Sequence, residues 1–385
     1  MTDHPPLALW DFAVIGAGMA GASTAWQLAQ ATSVLVLERE SQPGYHTTGR
    51  SAALFEEHYG PAQVQALTRA SRAFYEQPPM GFAEHPLIAP RGVLYVATAA
   101  QLPQLRAAYA EALVHSPDAR WLDAAGLARL LPALNTEVLV AGFVDAGARD
   151  IDVHGLHQGF LRGLRQRGGA LWTDAEAAGL QWNAAQACWR IALADGRQAQ
   201  ARHIVNAAGA WADLVGQLAG AGAIHLVPRR RSAFTFATPE GLQAQAAHWP
   251  AVLDIEEQWY FKPDAGQLLG SPANADATLP HDVAPEELDI ALGIDRISQA
   301  TRFHIRRPSR TWAGLRSFVA DGEMVIGWDG AAPNFLWVAA QGGYGIQSAF
   351  GYSLLARNLA LREPLDARLA AQGVEPDKLS PQRIA

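Results

Sequence analysis

Apolar and polar positions along the chain fall into two periods. Residues 12–15 are a short apolar run that meets glycine at once. Residues 19–31 are alanine-rich and favour helix, and residues 34–37 are a second apolar run closed by Glu38-Arg39-Glu40. These lengths predict strand, turn, helix and strand, a βαβ unit. A Gly-, Thr- and Ser-rich loop follows over 42–53, then an amphipathic helix over 61–75. Prolines break 78–90, residues 93–97 read as a strand, and 101–131 read as two short helices. Asp152 is placed to cap a helix that carries Leu156, Phe160 and Leu164 on one face. Strands are expected around 170–180 and 188–193, with Asp195-Gly196 as a hairpin turn.

Residues 203–205 form a buried-type strand that runs into Ala207-Ala208-Gly209. Strand patterns return at 233–237, 259–262 and 268–269. A helix is expected over 285–301, and strands over 311–319, 324–328 and 336–339. The turn Gly342-Gly343-Tyr344-Gly345 is expected to open a long final helix through residue 361. No internal repeat or low-complexity segment interrupts this order.

Bulk properties narrow the reading. A chain of 385 residues exceeds one ordinary core, so two domains are expected. Hydrophobic content of 49% and charged content of 17% suit a globular enzyme. A net charge of −7 with interspersed signs argues against nucleic acid, which needs a basic stripe. The single cysteine, Cys188, excludes a disulfide within the chain and a multi-cysteine metal site. The N-terminal ten residues lack the cationic and apolar regions of an export signal. No window approaches the ~18 apolar residues of a membrane span. A cytoplasmic protein is expected, with peripheral membrane association left open.

The chemistry begins at Gly16-Ala17-Gly18-Met19-Ala20-Gly21, which fits G-x-G-x-x-G. Its context makes it specific: a strand precedes it, a helix follows, and Glu38 closes the next strand. Gly16 permits the tight turn, Gly18 lets the backbone approach a pyrophosphate, and Gly21 lets helix pack on strand. The helix start directs free N–H groups and a positive dipole end at phosphate. The Glu38 carboxylate accepts from ribose hydroxyls and repels a 2′-phosphate. No second copy follows, so one dinucleotide cofactor is expected. Nucleotide-binding pieces thus lie at the start, middle and end of the chain, with strand-rich pieces between them. Two interleaved domains follow from that order.

Several ordered segments carry a family resemblance. They are the glycine motif, Leu37-Glu38-Arg39-Glu40, Gly44-Tyr45-His46-Thr47-Thr48-Gly49-Arg50-Ser51-Ala52-Ala53 and Asn206-Ala207-Ala208-Gly209-Ala210-Trp211. Further on come Arg230-Arg231-Ser232-Ala233-Phe234, Lys262-Pro263-Asp264-Ala265-Gly266, Trp312-Ala313-Gly314-Leu315-Arg316-Ser317-Phe318 and Ala340-Gln341-Gly342-Gly343-Tyr344-Gly345-Ile346-Gln347. Together they resemble the D-amino-acid oxidase superfamily of FAD enzymes, within it the bacterial D-arginine dehydrogenases, over nearly the whole chain. The resemblance implies a mixed α/β (α+β) fold. A Rossmann-type FAD-binding domain (1–84, 146–224 and 317–385) is interleaved with a substrate domain built on a large antiparallel sheet (85–145 and 225–316). FAD is expected to be held noncovalently, because Cys188 lies outside the matched segments.

The implied reaction is oxidative deamination, in which hydride passes from the α-carbon to flavin N5 and the imine hydrolyses to a 2-oxo acid and ammonia. Arg316 matches the family's carboxylate clamp, and a guanidinium suits it as a planar two-pronged donor. Tyr260 matches a tyrosine on the same carboxylate. Tyr59 matches one on the loop that closes over substrate, and Arg231 matches a pocket arginine. Arg229 and Arg230 beside it raise the alternative of a solvated basic face. The backbone carbonyl at Gly343 is expected to receive the substrate amine. Cofactor contacts are expected from Gly16, Gly18, Met19, Ala20, Gly21, Glu38, Arg39, Arg50, Ser51, Ala52, Ala177, Ala208 and Gly209. Gly342, Tyr344, Gly345, Ile346 and Gln347 complete that set.

The match breaks at the side-chain pocket. The family's glutamate after a Pro-Arg pair is replaced by Val93, after Pro90-Arg91-Gly92, and a family histidine aligns with Leu54. With Ala251 and Leu253 these predict a preference for apolar or aromatic D-amino acids, since a buried cation without a counter-charge is costly. Glu56 or Glu57 offers the alternative of a new cation partner, set against a solvated loop. A quinone or other electron acceptor is expected. An oxygen-using glycine, sarcosine or D-amino acid oxidase and a 2-hydroxy-acid dehydrogenase are the competing activities. No Ser/His/Asp arrangement carries a supporting turn motif. His154 and His157, three apart on a helix, lack further ligands for a metal set and read as structural.

Overall fold

The computed structural model describes residues 8–384; the reading of residues 1–7 as unlike an export signal lies outside them. β1 (Leu9–Ile15), α1 (Met19–Leu28) and β2 (Val34–Leu37) form the expected βαβ unit. β1 and β2 pair in parallel, Phe12 beside Val34 and Ile15 beside Leu37. α1 stops at Leu28 rather than residue 31. There the Leu28 carbonyl accepts from the Thr32 hydroxyl, at 2.9 Å, and the chain turns back toward β2.

These strands belong to an eight-stranded sheet. β1 lies between β2 and the strand Gln198–Asn206. The two halves of that long strand have different neighbours. Residues 198–201 pair antiparallel with Cys188–Leu193, whereas 204–206 pair in parallel with Phe335–Ala339. β1, β2 and Phe335–Ala339 are apolar at nearly every position because both faces are covered. Phe12 and Val14 enter a core with Leu67, Phe160 and Tyr352 from three helices. Ala13 and Ile15 point the other way, into a core with Trp189, Phe335 and Trp337.

The second sheet has nine strands. Its longest ladder joins Val227–Phe236 to Arg310–Phe318 antiparallel. One pair, Ala251–Asp254 beside Val93–Ala97, runs parallel, so the sheet is largely antiparallel. A small three-stranded sheet ties Leu54–Phe55 to Arg149–Ile151 and Ile88–Pro90. Residues 101–131 do contain two helices, Leu102–His115 and Ala124–Leu130, but the strand Arg120–Asp123 separates them. That strand pairs antiparallel with Ala141–Asp145 at the sheet edge. The final long helix, Ala349–Leu361, begins four residues after the glycine turn rather than on it, because 342–348 continue as turns along the cavity.

Asp152 caps the helix Val153–Gln166 as expected, its Oδ1 accepting from Gly155 N at 2.8 Å. Leu156, Phe160 and Leu164 are fully buried. Asp152→Ala is expected to cost about 1 kcal/mol through loss of the cap, read as a lower denaturation midpoint with FAD content unchanged.

Candidate active site

A cavity of about 380 Å³ is lined from both large sheets and the loops between them. One end holds the glycine turn, Glu38, Arg39 and Ala177, and the other holds Tyr260, Arg231 and Arg316.

At the first end the turn is built as its sequence requires. Gly16 has φ +97°, and a Cβ there would stand 2.5 Å from the Ala207 carbonyl oxygen. A Cβ on Gly21 would stand 1.8 Å from the Gly16 oxygen, so Gly21 serves helix–strand packing and does not itself reach the cavity. Gly18, Met19 and Ala20 line the wall at the start of α1. The Glu38 carboxyl is buried and accepts from Ala17 N at 2.8 Å and Glu40 N at 2.9 Å. Burial raises its pKa despite those bonds. Arg39 lies over the Trp211 ring at 5.0 Å and pairs with Glu40. Gly209, with φ +57° and open space where a Cβ would project, lines the middle beside Ala208.

Arg50, Ser51 and Ala52 also line the cavity. The Arg50 guanidinium ties the loop to the second sheet, donating to the carbonyls of Val283 and Ala313 and pairing with Asp282. Thr48, absent from the expected contacts although within a matched segment, accepts from Met19 N at 2.9 Å at the helix start. The free N–H groups at the start of α1, the open face at Gly209 and the buried Glu38 acceptor fit a dinucleotide. Cys188 is buried in its strand and is not on the cavity wall.

At the other end Arg316 has no ion pair among the described residues; its Nη1 donates only to the Tyr59 hydroxyl, at 3.4 Å. Its guanidinium lies against Gly343, where a Cβ would stand 2.8 Å from Cζ. Arg231 also lacks an acidic partner among the described residues and donates through Nε to the Asn274 carbonyl at 2.7 Å. Burial and the positive Arg316 push its pKa below the ordinary value. Its neighbour Arg230 instead reaches Asp289, Glu286 and Asp276. Arg229 is exposed and donates to the Ala275 carbonyl, so the basic triplet is divided among solvent, an acidic cluster and the cavity, not presented as one solvated face. Tyr59 donates to Glu257 at 3.4 Å, and burial raises its pKa.

Besides Gly21, two expected residues are not on the wall. Tyr344 packs edge-on against Tyr59 and Phe318, supporting the loop from behind, while Gly342, Gly345, Ile346 and Gln347 face the cavity. Val93 is fully buried beside its strand partner Ala251, in a cluster with Ala148, and does not reach the cavity, whereas Leu54, Ala251 and Leu253 do line it.

Glu56 overturns the solvated-loop reading. It is 6% exposed, lines the cavity, and accepts from the Tyr95 hydroxyl at 2.6 Å. No cation pairs with it among the described residues. Burial pushes its carboxyl up to about 7, and the nearby Asp145 and Glu257 add to the rise. Glu57 instead pairs with Arg72 at 2.7 Å. Glu56 deprotonates near pH 4.5 when unfolded and near 7 when folded, so the unfolded chain holds fewer protons between those values. Stability should therefore fall by about 3 kcal/mol as pH rises from 4.5 to 7. Glu56→Gln should remove that slope in denaturation curves measured across this range.

Among the described residues no helix is long and apolar enough to cross a membrane, and no His, Cys, Asp and Glu group suits a metal ion.

A family model described as FAD dependent oxidoreductase matches residues 11–359. Human mitochondrial dimethylglycine dehydrogenase is 24% identical over 286 residues, 70% of this chain, which spans only about a third (32%) of that protein's length. Glycine oxidase from Geobacillus kaustophilus superposes with a TM-score of 0.82 at 18% identity, covering 96% of this chain and 98% of that one. L-amino acid deaminase from Proteus vulgaris superposes with a TM-score of 0.81 at 16% identity, covering 99% of each chain.

Proposed function

Since the chain belongs to the family of FAD-dependent oxidoreductases, we propose that it is a dehydrogenase that oxidises the C–N bond of D-amino acids. The products are 2-oxo acids and ammonia, and electrons leave to a quinone or another acceptor. The observation that carries this reading is Arg316, a cavity-lining guanidinium without an acidic partner among the described residues, braced by Tyr59 and Gly343. Bound FAD supplies the hydride acceptor. The protein's part is to hold the α-carbon in place.

The Arg316 fork takes the substrate carboxylate, with the Tyr59 and Tyr260 hydroxyls beside it and Arg231 adding positive potential. The Gly343 carbonyl accepts from the substrate amine. The amine must be neutral when hydride leaves, because its lone pair stabilises the iminium. Water then adds to the imine and ammonia departs. The segments 1–84, 146–224 and 317–385 serve the cofactor in this reading, and 85–145 and 225–316 serve the substrate, in a cytoplasmic enzyme.

Leu54, Ala251 and Leu253 give the pocket an apolar wall, which suits aliphatic or aromatic side chains. A second reading rests on Glu56. A buried carboxyl on the wall with no cationic partner among the described residues favours a D-amino acid whose side chain ends in a cation, such as D-lysine or D-arginine.

Anaerobic visible spectra with D-Leu, D-Phe, D-Met, D-Lys, D-Arg and the L-enantiomers test both readings. Bleaching by apolar D-amino acids supports the first, and faster bleaching by D-Lys or D-Arg, lost in Glu56→Gln, supports the second. A yellow protein bleached only by L-amino acids, by 2-hydroxy acids, or by nothing in the panel overturns the proposal. Rapid re-oxidation of the bleached protein by air would mark an oxidase in place of a dehydrogenase.

A further inference from the structure

We infer that His157 is a positioning residue for the FAD pyrophosphate, acting through the Ala17–Gly18 peptide. His157 stands on the helix Val153–Gln166 and is 4% exposed. Its Nε2 lies 2.8 Å from the Ala17 carbonyl oxygen. A carbonyl only accepts, so Nε2 carries the hydrogen. Burial lowers the pKa of the ring, which makes that a neutral tautomer at physiological pH.

The consequence follows from peptide geometry. In a trans peptide the C=O and the next N–H point in opposite directions in one plane. Anchoring the Ala17 oxygen toward His157 therefore directs the Gly18 N–H away from that helix. Gly18 lines the cavity, and its N–H has no acceptor among the described residues. The adjoining peptide is fixed separately, since Ala17 N donates to Glu38. The glycine turn is thus held from both sides, with one N–H left for phosphate.

A second contact locks the imidazole. Gly44 has φ +78°, and a Cβ there would stand 3.0 Å from His157 Cε1. The ring is therefore wedged between the glycine turn and the start of the loop that carries Thr48 and Arg50. His157 needs neither charge nor metal for this role; it needs one donor at the reach of Nε2. A glutamine amide offers that donor at similar length, whereas phenylalanine fills the space without it.

His157→Phe and His157→Gln separate donor from packing. FAD affinity is measured by flavin fluorescence on titration, and the adenosine half by competition with ADP. His157→Phe should weaken FAD and ADP alike by tenfold or more, the usual result when a buried acceptor loses its donor. His157→Gln should stay within about threefold of the parent. With FAD saturating, KM for the amino acid should not change in either variant. Parental FAD affinity in His157→Phe would overturn the inference. So would a FAD loss without an ADP loss, which places the effect at the flavin end, or equal losses in both variants, which makes packing the cause. If His157→Phe does not fold, Gly44→Ala presses on the ring from the other side; soluble Gly44→Ala with parental ADP affinity also refutes it.

Discussion

Arg316→Met is expected to lower kcat/KM for the best amino acid about a thousandfold while leaving FAD content unchanged. Removing one member of a desolvated charge pair costs ~2–5 kcal/mol, and each tenfold in rate is about 1.36 kcal/mol. Several features place this residue at the upper part of that range. Its guanidinium makes no ion pair among the described residues, so its charge is available to a substrate carboxylate. It sits where Gly343 leaves room for it, which fixes its fork beside the proposed amine acceptor. Arg231 offers poor compensation, because its Nε is already tied to the Asn274 carbonyl.

Arg316→Lys should lose about a hundredfold, since an ammonium keeps the charge and loses the two-pronged geometry. Arg231→Met should lose about tenfold, less than a full buried charge pair. Steady-state kinetics with an artificial acceptor give the three values, and the ratio of flavin to protein absorbance monitors FAD. If Arg316→Met stays within tenfold of the parent, the carboxylate is held elsewhere. Arg231→Met would then be expected to show the larger loss.

The βαβ unit was legible in the sequence because each of its parts is local. Apolar runs of the length of strands, a glycine motif and a terminal acid lie within thirty residues, and Gly16, Gly21 and Glu38 meet as their spacing requires. The strand Arg120–Asp123 was not legible. Only its pairing with Ala141–Asp145 makes it a strand, and that partner is distant in sequence. The burial of Glu56 was not legible for a related reason. Exposed glutamate is the ordinary expectation for a loop, and its burial depends on Tyr95 and Gln347, from the second sheet and the C-terminal turn.

The resemblance places Val93 and Tyr344 on the wall, at the glutamate that follows the Pro-Arg pair and in the segment 340–347, and a sequence match does not fix how deep a side chain lies. The alternation of a strand puts Val93 on the cavity side, opposite Ala251, yet Ala148 and Leu54 cover it. His157 was legible as a helix residue with a structural role. Its acceptor, 140 residues away, was not.

Gly21→Ala is expected to abolish FAD retention, weakening binding by more than a hundredfold, and to destabilise the fold by about 3 kcal/mol, the upper end of overpacking costs. The added methyl would lie 1.8 Å from the Gly16 oxygen, 2.9 Å from its carbon and 3.3 Å from Val14 Cγ1. Two of these three atoms are backbone, so no rotamer change relieves the contact. The Gly16 N–H is held by the Leu37 carbonyl at 2.8 Å, and Gly16 itself is hemmed in by Ala207. The strain must therefore move α1 away from β1. That shift carries the N–H groups at the helix start away from the phosphates they serve.

Gly209→Ala provides the contrast. Its φ of +57° costs about 1–2 kcal/mol for alanine, but the methyl would meet open space. It should retain FAD with only modestly reduced affinity. Gel filtration followed by the 450 to 280 nm absorbance ratio, with denaturant midpoints of both proteins, separates the two cases. Equal FAD retention in Gly21→Ala and Gly209→Ala would mean that α1 can slide on β1 without cost, and that its start is not what holds the pyrophosphate.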